Sequence, residues 1–304
     1  MAAITPEIKS KPKILGRDFL ITLFIKLTGY SAIVFVGMIF VFLLLEGLPA
    51  IQQVSISDLL SSRWYPIESY YGVLPLIGGS LIITIGATLI AVPFGVGTAI
   101  YLSEIAPRWV RELLKPFVEI LGGLPSVVLG FLGMLVLSPY LRIILDLPTG
   151  LSALAGAILL GGIAIPTVVS IAEDALDAVP KSYRDASLAM GATEWQTIWR
   201  VTLPAAKSGV LTAVMLGIGR AIGETMMVTG NAPILPTGIK DLFSPVRTMT
   251  ATIAAEMGEV ANGSTHYHML FLIGIILFLI SLFVNVIASA VVFRQSKRQE
   301  RILS

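Results

Sequence analysis

Long apolar stretches alternate with short polar segments along the 304 residues of this chain. About 20 apolar residues in an α-helix cross the roughly 30 Å hydrocarbon layer of a bilayer. Six stretches approach or exceed this length, and charged residues interrupt only the fifth of them. The pattern therefore predicts an all-α polytopic membrane protein with six transmembrane helices. The predicted spans are residues 27–45, 69–103, 120–141, 147–172, 205–232 and 268–293.

The composition agrees with this fold class and excludes several chemistries. Hydrophobic residues make up 55% of the chain and charged residues 13%, which is far from the balance of a soluble domain. The sequence has no cysteine, no nucleotide-binding P-loop, no HExxH motif and no basic stripe for nucleic acid. His266 and His268, the only histidines, have no evident third metal ligand. We therefore predict a protein that is not an enzyme, holds no cofactor or metal and binds no nucleic acid.

Lysine and arginine are distributed unevenly between the two sides of the predicted bundle. Sixteen lie in the two terminal segments and two of the five loops, whereas the other three loops hold four. Cytoplasmic segments carry the excess of basic residues in membrane proteins, so both termini and these two loops are predicted to be cytoplasmic. The predicted organisation is an N-terminal segment 1–26, a transmembrane domain 27–293 with a cytoplasmic loop 173–204, and a tail 294–304.

The last part of this cytoplasmic loop, residues 182–204, has the pattern of two short helices joined by a turn. Two pairs of residues fit the capping box that satisfies the amides at a helix start: Ser182 with Asp185, and Thr193 with Gln196. Gly191 lies between the pairs, where a helix end and a sharp turn favour glycine. Pro204 lies where the next span is expected to begin, since the first turn of a helix tolerates proline. We predict a helix-turn-helix knob that docks onto a cytoplasmic partner.

The fifth predicted span contains two charged residues, Arg220 and Glu224, four positions apart. This spacing places both side chains on one helix face, and a charge at mid-span costs about 2.5–3.5 kcal/mol on insertion scales. One interpretation is an ion pair that holds the helix in a bundle. The other is an anion site on a transport pathway, in which Arg220 binds two oxygens of a tetrahedral oxyanion, with Thr225 as a further donor. Glu224 would then neutralise the empty site and accept a hydrogen bond from a protonated phosphate.

Aromatic residues and one amphipathic segment mark the predicted loops. The first outer loop has four aromatic residues, which suit either an interfacial belt or a docking surface for an outside partner; they are Trp64, Tyr65, Tyr70 and Tyr71. Trp195 and Trp199 of the knob suit either a partner's groove or the membrane interface. In the first inner loop, the residues after Pro107 predict a short amphipathic helix on the membrane surface.

The knob carries a recognisable motif. Asp185-Ala-Ser-x-x-x-Gly191, followed after nine residues by Val201-x-Leu-Pro204, resembles the EAA motif of ATP-binding-cassette (ABC) importer permeases. Asp185 stands for Glu, Ser187 for Ala and Val201 for Ile, which are conservative departures. The resemblance implies that the knob docks into a separate ATPase and couples it to the spans. The coupling residues implied in this way are Asp185, Ala186, Gly191, Leu203 and Pro204.

Within these permeases, four stretches resemble the phosphate-specific transporter, and most of all its PstC-type subunit. The stretches are 64–80, 93–104, 122–126 and 219–226. The resemblance implies a type I ABC importer permease fold in the bacterial inner membrane and a heterodimer with a PstA-type permease. It also implies two PstB-type ATPase subunits that bind ATP and Mg²⁺, a periplasmic phosphate-binding protein, and phosphate as cargo.

Several alternatives remain open at this point. Within the importer class, the chain suits a PstA-type partner subunit or a permease for sulfate, molybdate or tungstate. Two alternatives come from other classes. A passive anion channel would not need the knob, and in a receptor or scaffold Arg220 would only form a structural ion pair with Glu224.

Overall fold

The computed structural model describes residues 16–224 and 242–303, and this part of the chain is almost entirely helical. Three helices are extended or interrupted by π-helical turns at Tyr101–Ile105, Gly133–Leu137 and Ile198–Thr202. A short hairpin pairs β1 (Trp64–Tyr65) with β2 (Tyr70–Tyr71). The helices up to the middle of the chain are α1 Gly16–Gln53, α2 Ile56–Leu59, α3 Leu74–Ile100, α4 Arg108–Gly123, α5 Ser126–Leu132, α6 Ser138–Ile144 and α7 Ala153–Asp177. Those after it are α8 Lys181–Ala189, α9 Glu194–Thr197, α10 Leu203–Ala205, α11 Lys207–Gly223, α12 Met249–Glu256 and α13 Thr265–Leu303.

Five helices of the described chain are long and apolar enough to cross a membrane, and a bent pair makes a sixth span when it is counted as one. The bend of 72° separates Glu194–Ala205 from Lys207–Gly223. This agrees with the all-α polytopic fold and with the number of spans predicted. The continuous spans are Phe19–Gln53, Leu74–Ile105, Ser126–Ile144, Ala153–Asp177 and Thr265–Ala290.

The third predicted span, residues 120–141, begins six residues before the corresponding span of the structure. Residues 120–123 are apolar, but they form the last turn of the amphipathic helix α4, which starts directly after Pro107 as predicted. Leu124 is extended, with φ −63° and ψ 138°, because a residue before proline avoids the helical region. The span therefore starts at Ser126, after the break at Leu124-Pro125.

Helix α7 lies at the centre of the bundle and packs against α3, α4 and α11. Small residues allow the close approach. A Cβ atom at Gly95 of α3 would lie 2.8 Å from Val168 of α7, and one at Gly217 of α11 would lie 2.5 Å from the same side chain. Val168 is 1% exposed, so α7 is held between two glycine faces.

Two glycines of α3 offer a matched test of this packing. Gly95→Ala is expected to destabilise the protein by about 1–3 kcal/mol, because the added methyl overlaps Val168. Gly97→Ala is the control, since a Cβ there meets no described atom within 4 Å, and it is expected to be neutral or slightly stabilising. Thermal unfolding of the detergent-solubilised protein measures both. Equal melting temperatures for the two variants would contradict the packing argument.

Candidate functional site

Arg220 lies in the last turn of α11 and joins three helices. Its Nη1 donates to the Thr167 hydroxyl of α7 at 2.8 Å, and its Nη2 donates to the Gly122 carbonyl of α4 at 3.1 Å. The last carbonyls of a helix lack partners within that helix, and α4 ends at Gly123 because Leu124 turns away before Pro125. The break in the third predicted span therefore supplies the acceptor for Arg220.

Both partners of Arg220 are neutral oxygens. Among the described residues, Arg220 forms no salt bridge within 4.0 Å. A guanidinium has five N–H donors, so the two bonds to Thr167 and Gly122 leave capacity for another acceptor. A Cβ at Gly123 or Gly223 would meet no described atom within 4 Å. Among the described residues, the site therefore combines a cation with spare donors and a hydroxyl, which suits a small anion.

Arg220 and Glu224, which were predicted to share one helix face, lie at the very end of α11. Helix α11 ends at Gly223, and Glu224 is its extended C-cap, with φ −74° and ψ 127°. The Glu224 carbonyl accepts a hydrogen bond of 3.2 Å from Thr250 of α12, so the chain leaves the helix at this residue. Thr225 lies outside the described residues.

Sequence reasoning missed the two partners of Arg220. Thr167 follows Pro166 in the apolar part of its helix, and Gly122 belongs to the Gly-Gly-Leu-Pro-Ser stretch at 122–126. The proline and glycine residues indicate where the backbone bends locally. They do not indicate that positions 122, 167 and 220 contact one another. Only the packing of α4, α7 and α11 brings them together.

The predicted knob is present, with one correction. Thr193 and Gln196 form the full capping box at the start of α9, and Gly191 adopts a left-handed φ of 85° between the helices, both as predicted. Ser182 is not a cap, because α8 begins at Lys181 with Pro180 as N-cap, two residues before the predicted cap. Pro180 has φ −56° and ψ 135°, so its extended backbone ends the preceding segment and the helix starts directly after it.

Helix α8 has an exposed face and an anchored face. Asp185 and Ala186 are exposed, and Met190 just beyond the helix is 88% exposed. Ser187 lies on the other side, where its hydroxyl is 2.9 Å from that of Thr197, a residue 3% exposed. The knob thus holds its own two helices together and presents an acidic and apolar face outward.

The end of the knob turns sharply into α11. Leu203 packs on a buried cluster that includes Ala172 and Leu176 of α7. Pro204 was predicted to lie at the start of the next span. It lies before that span instead, because the 72° bend follows it and α11 starts at Lys207. The ring centroids of Trp195 and Trp199 lie 5.7 Å apart. Both side chains line an apolar groove of about 820 Å³ against α3. This position beside a membrane helix favours the interface-anchor interpretation of the pair.

The outer aromatic residues are divided between core and surface. Trp64 is 1% exposed and donates its Nε1 to Glu256 at 3.2 Å, so it belongs to neither a lipid belt nor a free docking face. Glu256 also pairs with Arg247 and His266, each at 2.8 Å. Tyr65 and Tyr70 remain exposed. No group of three potential ligands in residues 16–224 and 242–303 could hold a metal ion.

A family model decides what kind of protein this is. The chain matches the model described as "Binding-protein-dependent transport system inner membrane component" over residues 91–297. The chain belongs to this family. It is therefore a transport permease of the inner membrane and not an enzyme.

Curated relatives agree with the family model. The probable ABC transporter permease protein YqgH of Bacillus subtilis (strain 168) is 43% identical over 249 residues, covering 79% of this permease and 80% of the relative. The phosphate transport system permease protein PstC of Mesorhizobium japonicum is 34% identical, covering 96% and 97% of the two chains. The resemblance to PstC-type permeases seen in the sequence is thus confirmed over most of the chain.

Solved structures match the fold. A bacterial alginate ABC transporter, crystallised with its alginate-bound periplasmic protein, has a TM-score of 0.62 at 14% identity, covering 90% of this permease and 93% of that chain. The MetNI methionine ABC transporter in inward-facing conformations has a TM-score of 0.58 at 20% identity, covering 77% and 99%. The permease therefore has the type I ABC importer permease fold that was predicted.

Proposed function

We propose that this permease is the PstC-type subunit of an ATP-driven importer of inorganic phosphate. The observation that carries the proposal is the Arg220 guanidinium inside the bundle, held by neutral oxygens of Thr167 and Gly122. Hydrogen bonds from a cation to an anion contribute about 1.5–3 kcal/mol each, and a planar guanidinium binds two oxygens of a tetrahedral anion at once. The naming of relatives such as the Mesorhizobium japonicum protein supports phosphate over other oxyanions.

The partners follow from the same proposal. A PstA-type permease completes the pathway, two PstB-type subunits hydrolyse ATP with Mg²⁺, and a periplasmic phosphate-binding protein delivers the anion. The exposed face of the knob, with Asp185 and Ala186, docks onto an ATPase subunit. Leu203 and Pro204 lie between this face and α11, and Gly191 allows the turn that shapes it. Phosphate reaches Arg220 when the bundle opens outward and leaves when it opens inward.

Glu224 and Thr225 complete the proposed substrate site. Glu224 directly follows the helix that carries Arg220. Its carboxylate is proposed to accept a hydrogen bond from the P–OH group of hydrogen phosphate, which sulfate does not possess at neutral pH. Thr225 is proposed as a donor to a phosphate oxygen.

Reconstitution tests the proposal directly. The permease is expected to take up radiolabelled phosphate into proteoliposomes when PstA-type, ATPase and receptor partners are present with ATP, and not with a non-hydrolysable analogue. Uptake that persists without ATP would instead identify a passive anion channel. Faster uptake of sulfate, molybdate or tungstate than of phosphate would reject phosphate as the cargo while leaving the importer mechanism in place.

A further inference from the structure

A second arginine, Arg184 of the knob, makes more contacts than the site residue Arg220. Its Nε lies 3.2 and 3.1 Å from the two carboxylate oxygens of Glu104, and its Nη2 lies 2.5 Å from Oε1 of the same residue. The side chains are only 19% and 7% exposed. Glu104 belongs to the π-helical turn Tyr101–Ile105 that extends α3. The ion pair thus joins α8 to the cytoplasmic end of α3.

The same guanidinium also caps α7. Nη1 donates to the Val179 carbonyl at 2.8 Å, and Nη2 donates to the Leu176 carbonyl at 2.9 Å. Helix α7 ends at Asp177, so Leu176 supplies one of the terminal carbonyls that lack a partner within the helix. A cation at this end is favoured by the helix dipole as well. One side chain therefore binds α8, α3 and α7 together.

The position of Arg184 links the two proposed functional regions. It directly precedes Asp185, which is exposed on the face that is proposed to dock onto the ATPase. Leu176 and Thr167 lie nine residues apart on the same helix, or about 14 Å at 1.5 Å per residue. The Arg184 cap and the hydroxyl partner of Arg220 therefore belong to one continuous helix.

We propose that Arg184 is a positioning residue for coupling. It fixes α8 to α7 and α3, so that a displacement of the knob by the ATPase carries α7, and Thr167 with it, relative to Arg220. The hydrogen bond between Ser187 and Thr197 joins parts of the knob to each other and provides no such link to the spans. The inference rests on the proposed function, because it assigns a step in that transport cycle.

Hydrogen–deuterium exchange of the assembled complex tests the link without any measurement of phosphate. In the wild-type complex, trapping the ATPase with ATP and vanadate is expected to change exchange in both Lys181–Ala189 and Ala153–Asp177. In Arg184→Gln the change in Ala153–Asp177 is expected to shrink at least fivefold. Arg184→Lys keeps the charge but not the forked contacts, so an intermediate value is expected. An undiminished change in Arg184→Gln would overturn the inference.

Transport provides the second readout. Arg184→Gln is expected to lower the amount of phosphate taken up per ATP hydrolysed at least fivefold, while the ATPase subunits still copurify. Arg200→Gln is the matched control, since Arg200 is an exposed arginine of the same knob, and it is expected to keep the wild-type ratio. An unchanged ratio in Arg184→Gln counts against the inference. Absence of phosphate uptake by the wild-type complex would reject the proposed function instead, and the exchange measurement would still decide the role of Arg184.

Discussion

Arg220→Gln is expected to lower phosphate uptake at least about 100-fold while the complex still assembles. Two cation-to-anion hydrogen bonds of about 1.5–3 kcal/mol each are lost, and 1.4 kcal/mol corresponds to a factor of ten. Glutamine keeps a donor for the Thr167 hydroxyl or the Gly122 carbonyl, so helix packing is expected to survive. Initial uptake rates in proteoliposomes, corrected for the amount of reconstituted permease, measure the effect.

The matched control for this variant is Arg142→Gln. Arg142 is exposed in the last turn of α6, at the end of the span Ser126–Ile144 that is farther from Gly122. Its replacement is expected to leave uptake within about twofold of wild type because exposed substitutions have small effects. Uptake by Arg220→Gln within threefold of that control would mean that Arg220 is a structural residue and that the anion binds elsewhere.

Asp185→Lys is expected to disconnect ATP hydrolysis from transport. The Asp185 side chain is exposed and has no hydrogen bond or salt bridge to the rest of the described chain, so its replacement is not expected to unfold the knob. Reversing a charge at a docking surface costs about 2–5 kcal/mol when the partner's charge is buried against it. The expected result is at least a 30-fold loss of ATP-driven phosphate uptake, with the permease still in the membrane.

Glu112→Lys controls for the change of charge. Glu112 is an exposed acid of a different helix, α4, and this variant is expected to transport normally. Copurification of the ATPase distinguishes weaker docking from failed transmission. Wild-type uptake by Asp185→Lys would remove this residue from the coupling surface.

The spans and the knob could be predicted because they depend on local patterns. Apolar length identifies a membrane helix, and the capping box and Gly191 are determined within a few residues. The predicted start of α8 was wrong by two residues because the capping rule accepts Ser182, while Pro180 has the backbone geometry that actually ends the preceding segment.

The candidate site was less predictable because it depends on contacts between distant residues. The predicted span 205–232 assumed a helix that continued beyond Glu224, but glycine is a weak helix former, and α11 stops at Gly223. The contact of the Glu224 carbonyl with Thr250 joins residues 26 positions apart. Thr167 has no sequence signal, since a hydroxyl in a largely apolar stretch of helix is compatible with many roles.

The 72° bend lies at one end of α11, and Arg220 lies near the other end. Arg220 lies thirteen residues beyond Lys207 on the same helix, or about 20 Å from the bend at 1.5 Å per residue. A tilt of about 10° at the bend would move the guanidinium by about 3.5 Å, which is more than a hydrogen bond of 2.8 Å to Thr167 tolerates. A small rotation at the bend is therefore enough to break or make the contacts of Arg220 with Thr167 and Gly122.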